Sequence, residues 1–461
     1  MFSEPQNSAA GRSSVAPMTT VDAARLQFAL LAGTHFLFVL VTLGLGPVVA
    51  VFQTRWALAR TPERREVFER ATRFWGQLYL VNYALGIAAG IVMELQLGLN
   101  FPGLLDVAGG VFGAPLVIET MAAFFLESTF LGLWVFGWHV LPRALHTLAF
   151  WLVVVTGYVS AFTVMVANGF LRNPVGFAMD DGVARVTDVG ALVTNPAAIL
   201  SSLHVVGACL MAGGFLLVGV GAWHLRRAPS RLAGVVDAGL PGAVMSPENE
   251  LWRRSMRTGV VTGTIGAFLA IGFGFGQFAY LQDVPSGDDP PVVGIAYAVM
   301  QGVAFLTFLV GCVLLLLFAG NALFRMWRPL RRGLYGTLVA LLPVPFLTAL
   351  LGWVAREVGR QPWAIAGVLR TEDAVTDAPA GQVVASLVVL VGVMLVLAVA
   401  DWTVMTRLAR RGAERLALGS PPGEALRDLD PPSGPPPGAP GATAGRAEGH
   451  DLELLTFGGT R

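Results

Sequence analysis

The chain has 461 residues, of which 54% are hydrophobic and only 13% charged, and its formal net charge is +1. Soluble globular chains carry about 25% charged residues, so this composition excludes that class and points to a polytopic membrane protein. The near-zero charge offers no footprint for nucleic acid. Cys209 and Cys312, the two cysteines, both fall inside apolar runs and suggest neither a disulfide framework nor a thiolate metal site.

Residues 1–21 are polar and lack the basic start and apolar run of a cleaved signal, so they read as a disordered leader before a helix that inserts uncleaved. About nine apolar segments follow, near 24–52, 74–97, 113–139, 144–170, 196–225, 255–282, 292–324, 334–357 and 384–408. Each is long enough to cross ~30 Å of hydrocarbon at ~1.5 Å per residue. None alternates with period two, so the expected fold is an all-α bundle of nine transmembrane helices over 22–411, not a barrel. From Gly412 to Arg461 the chain is rich in Pro, Gly and Ala and reads as a disordered tail.

All basic side chains are arginine. They crowd alternate loops: Arg55, Arg60, Arg64, Arg65, Arg70 and Arg73 after the first segment, Arg226, Arg227, Arg231, Arg253 and Arg254 after the fifth, and Arg407, Arg410 and Arg411 after the ninth. The intervening loops are poor in arginine. The distribution predicts an outside N-terminus and a cytoplasmic C-terminus.

Orientation converts position into depth. His35 lies about eleven residues into the first segment, His204 about eight into the fifth and Met300 about eight into the seventh. Glu119 opens the third segment, and Glu127 follows eight residues deeper, ~12 Å further in. The eighth segment ends in Gly352-Trp353-Val354-Ala355-Arg356-Glu357-Val358-Gly359-Arg360-Gln361-Pro362-Trp363, with Arg360 in helical reach of Glu357. His35, Glu119, His204, Met300 and Glu357 thus belong to the outer half of the bilayer. His204 and Met300, at matched depth, are a suitable axial pair for a low-spin haem, non-covalent because no Cys-x-x-Cys-His is present. Taken singly, a membrane histidine can serve a neighbouring carbonyl, and methionine is a common gap-filler. Two carboxylates in one membrane helix point to proton handling. His139, His146 and His224 sit at the inner ends of segments and His450 in the tail, where interfacial or solvated roles are expected.

The motifs resemble subunit I of the cytochrome bd-type oxygen reductases from about Arg25 to Arg407. They are Arg25-Leu26-Gln27-Phe28-Ala29 with His35; Phe74-Trp75-Gly76; Met93-Glu94-Leu95-Gln96; Gly113-Ala114-Pro115 with Glu119; Phe124-Phe125-Leu126-Glu127-Ser128-Thr129-Phe130; Val166-Ala167-Asn168-Gly169; Asn195-Pro196 with His204; and Gly359-Arg360-Gln361-Pro362-Trp363. The resemblance implies a plasma-membrane terminal oxidase subunit with three haems near the outer face: two of haem b, and a third that is haem d or a third haem b. His204 and Met300 match the axial ligands of the low-spin haem b. His35 and Glu357 match ligands in the oxygen-site pair, and Glu119 an acid beside or ligating it. Glu127 and Ser128 match the proton-input path, and Trp353 and Arg360 match groups packed around the haems.

A second large membrane subunit is implied as partner, optionally with a small single-helix one. The reaction implied is quinol oxidation coupled to reduction of oxygen to water, with protons drawn from the cytoplasm. Two departures stand out. In quinol-using members the outer loop between segments six and seven is long and its Lys and Glu are implicated in quinol oxidation; here it is Gln282-Asp283-Val284-Pro285-Ser286-Gly287-Asp288-Asp289-Pro290-Pro291. The position two before the methionine ligand, usually Arg, is Ala298. A non-quinol donor such as cytochrome c, or electron transfer without oxygen reduction, is therefore the alternative. A cofactor-free proton-coupled transporter is a remote one, which has no use for Met300.

Overall fold

The computed structural model describes residues 18–228, 246–281, 290–413 and 416–420. Among the described residues, nine helices are long and apolar enough to cross a membrane. They are α1 Thr20–Ala57, α2 Pro62–Asn100, α3 Pro102–Phe136, α4 Arg143–Arg172, α5 Pro196–Arg227, α6 Pro247–Leu281, α7 Pro291–Ala319, α8 Arg328–Gly359 and α9 Ala380–Arg411. Several begin on local chemistry. Thr19 caps α1 by accepting from the Asp22 amide, and Thr61 and Asn195 cap α2 and α5, each followed by a proline at the first helical position.

The helices run well past the apolar cores. The stretch 98–112, expected as a loop, is helical except at Phe101, and α3 begins eleven residues before its predicted start. Gly103, Gly109, Gly110 and Asp106 dilute the hydropathy there without stopping the helix. Glu119 is consequently well inside α3 rather than at its mouth. Between Met121 and Glu127 the helix widens into a π-turn segment, which shifts the faces presented by Glu119 and Glu127 from simple 3.6-residue spacing. Pro343 interrupts α8, leaving helical stretches Arg328–Ala340 and Val344–Gly359.

Helix α5 is the most deeply buried of the nine. Gly207, Gly214 and Gly221 recur along one face, and α6 answers with Gly259, Gly263 and Gly266. A Cβ at Gly214 would fall on the backbone of Gly263, and one at Gly207 on that of Ala270. Small residues at heptad spacing let two backbones touch in a medium that gives no hydrophobic drive to associate. Helix α1 meets the opposite side of α5 through Gly44, which lies on Gly213 and the Cys209 carbonyl.

Two short hairpins cap one end of the bundle's loops. Strands β1 (Phe177–Asp180) and β2 (Val183–Val186) pair antiparallel with Phe177 opposite Val186, and β3 (Trp363–Ile365) pairs with β4 (Leu369–Arg370). The Ala366 amide donates to the Leu171 carbonyl at 2.9 Å, tying the second hairpin to the end of α4. At the opposite end the chain stays packed past Arg411. Ala413 and Leu418 are buried, Arg70 donates to the Ala413 carbonyl, and Arg73 and His139 meet the Gly419 carbonyl. The remaining tail, residues 1–17 and most of the short outer loop at 282–289 lie outside the described residues.

Candidate functional site

A cavity of about 660 Å³ opens among the helices. Seven of the side chains singled out from the sequence line it: His35 (α1), Glu119 and Glu127 (α3), His204 (α5), Met300 (α7), and Trp353 and Glu357 (α8). The rest of its wall is largely apolar, including Phe28, Phe36, Leu97, Leu116, Ile271, Phe278 and Phe305.

The α5–α6 contact positions His204. Close approach brings the Ala270 carbonyl to 2.7 Å from His204 Nδ1. A carbonyl can only accept, so Nδ1 carries the proton and donates, which leaves Nε2 with its lone pair. This is the arrangement by which metal-binding histidines are oriented. Gly274 leaves room for the ring, since a Cβ there would sit 3.2 Å from Nδ1. Met300 is seated similarly: a Cβ on Gly352 of α8 would lie 2.5 Å from its Sδ. On α1, His35 Nδ1 is buried and has no hydrogen-bond partner among the described residues. A Cβ at Gly90 would come within 3.3 Å of its ring, and Gly33 admits Trp353 at 3.7 Å.

At the end of α8, Arg360 and Glu357 form an ion pair whose side chains are only 15% and 12% exposed. Arg360 does not line the cavity, although its Nε is buried without a partner among the described residues. The guanidinium that does line it is Arg356, which donates to Ser201 Oγ at 3.0 Å and Asn168 Oδ1 at 2.5 Å. Arg172 at the end of α4 joins it. Neither was a candidate from the sequence, because an arginine near a helix end reads equally well as an interfacial anchor.

The two α3 carboxylates differ in setting. Glu119 accepts from Ser160 Oγ at 3.4 Å and lies within hydrogen-bonding reach of Glu94, another cavity residue. Glu127 is 4% exposed and accepts from the Tyr79 hydroxyl at 3.3 Å. Ser128 does not line the cavity but hydrogen-bonds Tyr83, which does. Gly157 on α4 makes room for the Glu127 carboxylate, 3.0 Å from where a Cβ would stand.

The remaining described histidines lie elsewhere and are satisfied. His146, fully buried and not solvated, bridges Gln53 and the Trp134 carbonyl at 2.7 Å each. His224 stacks on Trp252 at 3.8 Å and bonds the Ala409 carbonyl. Among the described residues no three or more His, Cys, Asp or Glu side chains converge as a bare ion requires. A porphyrin brings four nitrogens of its own and asks the protein for one or two axial groups, which is the kind of donor this cavity presents.

Comparison with known proteins places the chain in a family. The family described as cytochrome bd terminal oxidase subunit I matches residues 23–281 and 275–413. The chain is 31% identical over 450 residues to cytochrome bd ubiquinol oxidase subunit 1 of Bacillus subtilis (strain 168), covering 86% of this chain and 95% of the relative. It is 28% identical over 511 residues to cytochrome bd-II ubiquinol oxidase subunit 1 of Escherichia coli (strain K12), covering 87% and 98%. The structure of bd oxidase from Geobacillus thermodenitrificans has the same fold, with a TM-score of 0.71 at 22% identity over 86% of this chain and 99% of that one. The chain belongs to the cytochrome bd terminal oxidase subunit I family, and is a multi-pass plasma-membrane oxidoreductase subunit.

Proposed function

We propose that this subunit carries haems in the cavity and uses them to reduce oxygen to water with electrons from a quinol and protons from the cytoplasm. His204, through Nε2, and Met300 would hold the low-spin haem b, and His35, Glu357 and Glu119 the oxygen-site pair, one haem b and one haem d or b. Bound there, the haems supply one-electron transfer and oxygen binding. The observation that carries the reading is the His204 tautomer: its Nδ1 is committed to the Ala270 carbonyl, so Nε2 carries a lone pair available to an iron and no proton to donate.

The chain's own groups do the rest. Arg356, held by Ser201 and Asn168, and Arg172 place fixed positive charge at the cavity wall, suited to propionates. Arg360 holds the Glu357 carboxylate in place. Trp353 walls the cavity beside Gly33. Glu127, with the Tyr79 hydroxyl on one oxygen and Ser128 beside it, takes protons from the inner side, and Ser160 and Glu119 continue the route. A second large membrane subunit, with or without a small single-helix one, completes the enzyme, and the bundle has its N-terminus outside.

A cytochrome c donor is the second reading, favoured by the short outer loop at 282–291, which has neither Lys nor Glu. Oxygen uptake by the purified complex, driven by a quinol or by reduced cytochrome c, separates the two. Uptake with quinol alone is expected; uptake with cytochrome c alone overturns the quinol assignment, and uptake with neither overturns the oxidase reading.

A further inference from the structure

One buried acid has no part in the site described above. Asp401, on α9, is 1% exposed, and both its carboxylate oxygens are buried with no hydrogen-bond partner among the described residues. Val383, Met394, Asp401 and Met405 are the buried positions of α9, so the acid lies on the inward stripe of a helix otherwise facing outward.

What it faces follows from register. Ser386 of α9 donates to Gln27 of α1, and Thr20 of α1 donates to the Ala378 carbonyl just before α9. The two helices therefore run parallel, with partners about 359 positions apart, which brings Asp401 level with Thr42. Met394, two turns nearer the start of α9, clusters with Phe38 of α1 and Ala89 of α2. Helix α2 runs the other way, so two turns along it from Ala89 comes Asn82. Asn82 donates to the Phe38 carbonyl at 2.9 Å and to Thr42 Oγ1 at 2.8 Å, while its own Oδ1 is buried without a partner. An orphaned acceptor and an orphaned acid thus share one level of the α1–α2–α9 groove.

Among the described residues no cation pairs with the acid. Residues 36–54 of α1, 74–93 of α2 and 342–355 of α8, whose Phe346 packs on Trp402, contain no Asp, Glu, Arg, Lys or His. The titratable groups there are Tyr79 and Tyr83, which turn to Glu127 and Ser128 on α3. A carboxylate anion held away from water and counter-charge is strongly disfavoured, whereas the neutral acid has a proton to donate toward the Asn82 acceptor.

We propose that Asp401 is a proton-carrying residue of this subunit, linked through a bridging water to the Asn82 acceptor on the same level and connected through Thr42 to the cavity. Thr42 lines both the main cavity and a small void of about 10 Å³ beside Glu127, room for roughly one water. In each turnover the proton leaves the Asp401 oxygen toward the cavity, where oxygen reduction consumes it, and the transient aspartate is reloaded from the nearer helix end at Arg411. The proposal rests on the oxygen-reducing reading above. It adds a proton donor on the α9 side of α1, separate from Glu127.

The test uses the purified complex with Asp401→Asn, Asp401→Glu and Thr42→Val. Asparagine keeps the size and an N–H donor that can serve the same water, but carries no acid proton to release. The expected result is an unchanged haem spectrum, oxygen uptake about tenfold or more slower in D401N, and most activity kept in D401E. The redox difference infrared spectrum should also lose a carboxylic-acid carbonyl band in D401N. Wild-type turnover and an unchanged carboxylic-acid region in D401N reduce Asp401 to a structural pin and overturn the proposal. Should D401N fail to assemble, T42V carries the test: slowed turnover is expected, and wild-type turnover overturns it. If the unsubstituted complex takes up no oxygen, the oxidase reading fails, while the infrared comparison still decides whether Asp401 changes protonation on haem reduction.

Discussion

Replacing Gly352 by alanine separates a ligand methionine from a packing one. A Cβ at that position stands 2.5 Å from Met300 Sδ. Non-bonded heavy atoms settle at about 3.5–4.0 Å, so the sulfur must retreat by about 1.0–1.5 Å. If Met300 is only filler, its three rotatable bonds absorb that shift at little cost. If Sδ is bonded to iron, a shift of that size far exceeds the ~0.2 Å tolerance of metal–ligand distances, and the bond is lost. The low-spin haem of G352A should then lose its His/Met signature in reduced-minus-oxidised and magnetic circular dichroism spectra, while the bands of the other haems persist. Met300→Leu, which conserves volume, should give the same change without the steric insult. A G352A spectrum identical to the parent, in a protein of parental stability, refutes the assignment of Met300 as a ligand.

Glu127→Gln keeps an acceptor for Tyr79 but removes the exchangeable proton. Oxygen uptake should fall about 10²-fold or more, with loss of the generated membrane potential and an intact haem spectrum. Gly214→Val forces apart backbones that now touch, an overpacking cost of about 1–3 kcal/mol that also pulls the Ala270 carbonyl from His204. Thermal unfolding of the purified complex should shift down and the low-spin haem band should weaken. Ala298→Arg restores a cation two residues from Met300, and redox titration should find the low-spin haem's midpoint potential raised.

The nine-helix bundle was legible because hydrophobic length is a one-dimensional signal, and seven of the nine proposed site residues meet at one cavity because matched depth on separate spans survives folding. What escaped depends on rotation about the helix axis and on distance between helices. Arg356 and Arg360 are one turn apart and would share a helix face, yet only Arg356 lines the cavity, because the helix ends at Gly359 and Arg360 lies past its end. The π-turn at Met121–Glu127 moved Glu119 relative to Glu127 by a change in winding that residue identities do not announce. Asp401 was invisible because an acid ten residues from a helix end reads as able to reach water. Only the packing of α1 and α2 against that stripe shows it sealed. The glycine ladder of α5 and α6 was present in the sequence, but its meaning as the device that orients His204 emerges only when the partner backbone is seen.

The most direct test of the central claim, that this cavity holds haems gripped by His204 and its companions, is the reduced-minus-oxidised visible spectrum of the purified subunit complex beside that of His204→Ala. Haem bands in the parent, with the low-spin component missing from H204A and the others retained, are the predicted result. A parent without haem bands, or an H204A spectrum that matches it, contradicts the account.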